Sequence, residues 1–191
     1  MLKATHHGSL LIPLKTHPNA ARLLVLAVAL LLGLAASACQ PEPGGNFTVN
    51  LYTGQADLGD DEVTLSDVIE EGKPVVLNFW AGQCPPCRAE MPVLQDAYKE
   101  YQDDVVFLGV DVGPFVGLGS FEDGVALLEE MGISYPSGSA ASHQVVPDWR
   151  LDFMPSTYFL DAAGRVQSKW IGGITATQLN QEITGIFKGS E

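Results

Sequence analysis

A mixed central β-sheet with helices on both faces is the α/β architecture this sequence predicts, and three observations carry it. Two continuous apolar runs of β type, Val75–Trp80 and Val105–Val110, read as strands buried on both faces. Between them, Met91, Leu94, Tyr98 and Tyr101 recur at helical spacing. Thr157–Leu160 and Val166–Ile171 flank the turn Asp161-Ala-Ala-Gly164 and read as a hairpin. Strand–helix–strand units demand right-handed parallel crossovers, and the hairpin adds antiparallel strands to the same sheet. The predicted order is β-α-β-α-β-β-α.

The chain begins with an address rather than a fold. Residues 1–38 hold Lys3, Lys15 and Arg22 and no acidic residue, and an apolar run follows from Leu23 to Ala36. A basic start, a short apolar stretch and small residues before a cleavage point make a secretory signal. The run is shorter than the roughly 20 residues that span a bilayer. Ala36-Ser37-Ala38-Cys39 resembles the bacterial lipoprotein lipobox, with Ala36 where Leu is commonest. That resemblance implies acylation of Cys39, removal of 1–38, and anchorage of the mature chain to a lipid bilayer outside the cytoplasm. Residues 39–46 then form a lipidated Cys and a tether, since 40–46 contain two Pro, two Gly and no apolar side chain. The folded domain is expected over 47–191.

Within that domain each element has a local reason. Phe47–Tyr52 alternates weakly and suits a leading strand. Val63–Ile69 suits a turn of helix with Thr64 or Ser66 as its cap. A longer helix starts near Cys84 and runs to about residue 102, with Pro92 inside it as a kink. Ser120 caps another, with Val125, Leu128 and Met131 facing inward. Thr175 and Gln178 form a capping box for a last helix whose buried stripe is Leu179, Ile183, Ile186 and Phe187.

Charge and cysteine usage narrow the function. Beyond residue 38, seven basic residues face 23 acidic ones, a balance of −16 that repels phosphate backbones and argues against nucleic acid. The three cysteines are Cys39, Cys84 and Cys87; lipidation of the first leaves a single pair. A structural zinc site wants four ligands, and His143 is the only His beyond the leader, so no metal is expected. A purely structural disulfide across two residues closes too small a loop to stabilise much.

The pair sits where redox chemistry would want it. Cys84-Pro85-Pro86-Cys87 lies just past a buried strand, on a turn feeding a helix. Unpaired N–H groups and the partial positive charge of a helix N-terminus stabilise a thiolate, and Cys84 is nearest them. A thiol near pKa 8.5 is only about 3% ionised at neutral pH, whereas one near 7 is about half ionised. Cys84 is thus the expected nucleophile and Cys87 the thiol that resolves the mixed disulfide. Pro85 and Pro86 remove two N–H donors and stiffen the loop. Glu90, one helical turn beyond Cys87, could raise the thiol pKa as a like charge and shuttle protons.

Phe79-Trp80-Ala81 together with Cys84-Pro-Pro-Cys-Arg-Ala-Glu-Met-Pro92 resembles the thioredoxin fold, in particular its TlpA/ResA-like membrane-anchored branch of thiol–disulfide oxidoreductases. The resemblance covers about Val63 to Phe187. It implies a thioredoxin-like sheet, a cis Pro155 facing the dithiol before the hairpin, and an insert matching Gly113 to Phe153. It further implies a proton-handling role for Glu90, which Asn78 favours by standing where thioredoxins proper carry a buried acid. Trp80, Gln83, Pro85, Pro86 and Met154 become candidate substrate contacts. The implied activity is reduction of protein disulfides, with apocytochrome c or metal-centre assembly proteins as partners and a membrane thiol transporter as electron donor; no cofactor is implied. Three positions depart from the branch: Gln83 replaces Trp, Gly82 replaces Ser or Thr, and Met154 replaces a smaller or β-branched residue.

Two other functions fit parts of the pattern. A peroxiredoxin-type thiol peroxidase shares the fold but would need Pro at Leu77 and Thr at Ala81. A copper-delivery protein could use Cys84, Cys87 and His143, although copper carriers of this fold space their cysteines one residue further apart.

Overall fold

The sheet forms around its most apolar strand. In the computed structural model, which describes residues 44–188, the chain runs β1 (Thr48–Thr53), α1 (Gln55–Leu58), β2 (Glu62–Thr64), α2 (Leu65–Glu70), β3 (Val75–Trp80), α3 (Pro85–Tyr101) and β4 (Val106–Asp111). It continues through α4 (Gly113–Val116), α5 (Phe121–Met131), β5 (Ser137–Ala140), α6 (Val145–Asp148), β6 (Ser156–Leu160), β7 (Val166–Ile171) and α7 (Ala176–Lys188). The leader, Cys39 and the start of the tether lie outside the described residues. Among the described residues no helix is long and apolar enough to cross a membrane.

The strand order is β2-β1-β5-β4-β3-β6-β7. β3 pairs in parallel with β4, and β4 with β5; the remaining pairs are antiparallel. Every residue of β3 and β4 is buried, as unbroken apolar runs between two helical layers should be. The pleat sends Val76 and Trp80 to one face, against Met91 and Leu94 of α3, Leu127 and Leu128 of α5, and Leu179 and Ile183 of α7. Val75, Leu77 and Phe79 point to the other face, where Val68 of α2, Trp149 and Tyr158 receive them. A fully buried Leu or Phe contributes about 1.5–3 kcal/mol, so this double-sided burial fixes where β3 ends and the dithiol begins.

Several local expectations change in the folded chain. Val63 belongs to strand β2, and the helix begins two residues later with Thr64 as its cap, its side chain and that of Asp67 bonding reciprocally to backbone N–H groups. Helix α5 keeps the Ser120 cap but turns Gly124, Leu127 and Leu128 inward, leaving Val125 and Met131 half-buried. Phe187 is 38% exposed, because Leu179, Ile183 and Ile186 already complete the inward stripe of α7. Helix α3 continues through Pro92, which stands on its exposed side. Strand β5 and the short helices α1, α4 and α6 were not anticipated.

Candidate active site

The end of β3 delivers the chain to Cys84, which becomes the N-cap of α3 in an extended backbone conformation. Pro85 and Pro86 fill the first two helical positions, where a missing N–H costs nothing. The first donor the helix can offer is therefore the Cys87 N–H, and it points at Cys84 Sγ, 3.3 Å away. Cys84 and Cys87 are joined by a disulfide with an S–S distance of 2.05 Å. Cys87 is 0% exposed and Cys84 4%, so Cys84 is the sulfur-bearing residue nearer the surface. Pro85, Pro86 and Gln83 are exposed around it.

Glu90 lies behind the pair and is only 2% exposed. Asn78 of β3 donates through Nδ2 to Glu90 Oε1 at 2.8 Å, and the Ile174 N–H donates to Oε2 at 3.0 Å. The same Asn78 amide nitrogen donates to Thr157 Oγ1 of β6 at 2.9 Å. Burial pushes the Glu90 carboxyl up to about 7, and the two donors offset part of that rise. A carboxyl poised there can both accept and release a proton at neutral pH. The polar break in β3 was visible in the sequence; the Ile174 N–H, 84 residues from Glu90, was not.

The Met154–Pro155 bond is cis, as the resemblance implied. Pro155 is buried, with Met154 half-buried before it, and the Pro155 carbonyl accepts the Gly172 N–H at 2.8 Å. A Cβ on the neighbouring Gly173 would lie 3.8 Å from the Pro86 carbonyl oxygen, so this segment runs beside the N-terminus of α3.

Two expectations for substrate contacts change. Trp80 is fully buried and its indole N–H donates to Ser137 Oγ at 3.2 Å; it supports the site from beneath and cannot touch a partner. Gln83 is exposed, yet its side chain is tied sideways to Asp123 of α5 at 3.1 Å and its N–H to the Leu118 carbonyl at 2.8 Å. Gly82 explains its own departure from the family pattern. A Cβ there would stand 2.7 Å from the backbone of Asp123 and Gly124, so the first turn of α5 takes the space a Ser or Thr would need. Helix α3 is itself joined to α5 by the Arg88–Glu130 ion pair. His143 is exposed, and among the described residues no group of three or more His, Cys, Asp and Glu side chains is placed to hold a metal ion.

A cysteine pair at a helix N-terminus, a cis-proline loop beside it and a mixed sheet behind it define a thioredoxin-fold protein with a redox-type dithiol. Comparison with known proteins places it further: residues 43–169 match the AhpC/TSA family model, and the chain belongs to that family. It is 32% identical over 133 residues to the thiol–disulfide oxidoreductase ResA of Oceanobacillus iheyensis, covering 68% of this chain and 65% of that protein. The chain therefore spans just under two thirds of that relative's length. Among solved structures, StoA from Bacillus subtilis superposes with a TM-score of 0.59 at 19% identity, covering 74% of this chain and 98% of that one. The pneumococcal exposed lipoprotein thioredoxin Etrx1 of Streptococcus pneumoniae strain TIGR4 gives a TM-score of 0.59 at 25% identity, covering 74% and 99%.

Proposed function

We propose that this protein reduces disulfide bonds in partner proteins outside the cytoplasm, using the Cys84–Cys87 dithiol. The observation that carries the reading is the Cys87 N–H directed at Cys84 Sγ, with the buried Glu90, its carboxyl pushed up to about 7, one turn behind. The Cys84 thiolate attacks one sulfur of a partner disulfide and expels the other as a thiolate, forming a mixed disulfide. Cys87 then attacks Cys84 Sγ, releasing the second partner thiol and closing the Cys84–Cys87 disulfide. The partner gains two electrons and two protons, and the dithiol loses both; Glu90 takes the Cys87 proton as that thiol becomes the nucleophile. Met154, presented by the buried cis Pro155, forms with Pro85 and Pro86 the surface where the partner strand docks.

Residues 1–38 act as a lipoprotein signal and Cys39 carries the lipid that holds the domain at the outer face of a membrane. The basic-apolar leader and Ala36-Ser-Ala-Cys39 support this, as does likeness to a thioredoxin described as an exposed lipoprotein. A reductant in an oxidising compartment needs an electron supply, for which a membrane thiol transporter is the fitting source. Apocytochrome c or metal-centre assembly proteins are the fitting partners. The test is turnover of insulin disulfides by the reduced protein: Cys84→Ser abolishes it, whereas Cys87→Ser accumulates a mixed disulfide through Cys84. Full turnover by Cys87→Ser, or trapping through Cys87, would overturn the assignment.

A further inference from the structure

A second fully buried carboxylate stands close to the site and has no part in the exchange chemistry above. Asp111 ends β4 at 0% exposure, in register with Trp80 of β3. Its partners are neutral donors: the Gly113 N–H reaches Oδ1 at 2.8 Å, and the Tyr52 hydroxyl reaches Oδ2 at 3.4 Å. Burying a carboxylate with so little compensation is costly, and an unpaired buried acid beside a reactive loop asks for a role.

Two paths connect Asp111 to the dithiol loop. The first runs through helix α4, which Asp111 caps at Gly113. The Gly113 carbonyl accepts the Leu118 N–H at 3.0 Å, and the Leu118 carbonyl accepts the N–H of Gln83, the residue before Cys84, at 2.8 Å. The second is direct packing. A Cβ on Gly124 would lie 2.3 Å from Asp111 Oδ2, and a Cβ on Gly82 would lie 2.7 Å from Gly124 N. The first turn of α5 is thus pinched between the carboxylate and Gly82, with no room for a methyl group on either side.

We propose that Asp111 is a positioning residue for the dithiol: its carboxylate braces α4 and α5 against Ala81–Gln83, so its charge state sets the reactivity of Cys84 separately from Glu90. The inference rests on Cys84 being the attacking thiol. The ionised carboxylate is the stronger acceptor for the Gly113 N–H, so protonation loosens the brace. The ionisable groups facing it are Tyr52 from β1 and Asp123 from α5, with Glu122 near Tyr52. Burial pushes Asp111 up to about 6, the Gly113 and Tyr52 donors oppose that rise, and the Asp123 charge adds to it. The brace therefore weakens as pH falls through a range below that of Glu90.

The experiment is iodoacetamide alkylation of the reduced protein against pH, which needs no partner and so reads the loop whether or not the protein turns over insulin. A failure to reduce insulin would overturn the proposed function and leave this measurement standing. In a Glu90→Gln background the rate profile retains an inflection near about pH 6. Adding Asp111→Asn, which keeps the size and fixes a neutral brace, removes the inflection and slows alkylation about threefold on its alkaline side. Tyr52→Phe, a change at a half-buried position, moves the inflection upward by removing a donor to the charged form. Superimposable Glu90→Gln and double-variant profiles would overturn the proposal, as would faster alkylation in Asp111→Asn, which marks simple charge repulsion. Should Asp111→Asn fail to fold, an unmoved inflection in Tyr52→Phe overturns it instead.

Discussion

Asn78 Nδ2 stands 2.8 Å from Glu90 Oε1, so the one polar side chain within the six-residue strand β3 is spent on the one acid buried behind the dithiol. The same nitrogen also reaches Thr157, which ties β3, α3 and β6 together at that point. Burial alone would push Glu90 higher; the Asn78 and Ile174 donors hold it at about 7. The strand that positions Cys84 therefore also sets the proton affinity behind Cys87.

Replacing Glu90 with Gln keeps the volume and removes the charge. An ionised Glu90 disfavours a neighbouring thiolate, so Glu90→Gln lowers the apparent thiol pKa of the reduced protein. Coupled groups titrate as a set, and the shift belongs to the site rather than to one sulfur. Thiol alkylation rate against pH measures it, with Glu100→Gln further along α3 as control. Superimposable wild-type and Glu90→Gln curves would leave Glu90 without electrostatic influence on the dithiol.

Stability should rise as the solution is acidified from about pH 8 to about pH 5. Both Glu90 and Asp111 have folded pKa values raised above their ordinary ones, to about 7 and about 6. A group of this kind binds its proton more tightly when folded. Its contribution is complete below the unfolded pKa, near 4, and is lost as pH climbs through the folded value. Together the two are worth on the order of 3 kcal/mol across that interval. Urea unfolding of the oxidised protein at several pH values checks the sign, and Glu90→Gln should flatten most of the slope.

Gly82→Ser installs the residue type that the TlpA/ResA-like resemblance implies at this position and should still be harmful here. The new Cβ would meet the backbone of Asp123 and Gly124 at 2.7 Å, and backbone cannot rotate away. Overpacking of this kind costs about 1–3 kcal/mol. Thermal unfolding measures it against Gly185→Ala in α7, where a Cβ meets nothing within 4 Å and helix propensity favours Ala. Equal midpoints for Gly82→Ser and wild type would show that α5 moves aside freely.

On the lipoprotein reading proposed above, Cys39→Ser removes the lipid acceptor, at a position outside the folded domain expected over 47–191. The protein should leave the membrane fraction while the released domain retains its insulin reductase rate. Unchanged membrane retention would point to the leader itself as the anchor.

The sequence was legible where side chains announce burial and opaque where they are small. Val75–Trp80 and the Thr175–Gln178 capping box could be read directly, because apolar runs and caps have local causes. Strand β5 is Ser-Gly-Ser-Ala and carries no such signal. Its composition follows from crowding: a Cβ on Gly138 would lie 2.1 Å from the Asn50 carbonyl oxygen, and Ser137 takes the Trp80 indole N–H. The dithiol and Glu90 could be read from spacing, whereas Asp111 stands one residue past the apolar run Val105–Val110 and carries no motif of its own. Its isolation there was the available clue. Trp80 was misplaced because a motif shows adjacency along the chain and not which side of the sheet a ring faces.

Strand β5 lies inside the insert, and its place in the sheet limits how the domain can be rebuilt. It is the sole neighbour joining β1 to β4, so cutting out Gly113–Phe153 would split the sheet into a detached β1–β2 pair and a four-stranded remainder. The insert is consequently no exchangeable cassette. A chimera that borrows it from a relative must borrow the β1–β2 hairpin as well, since the glycine at 138 and the backbone at Asn50 and Leu51 are shaped for each other.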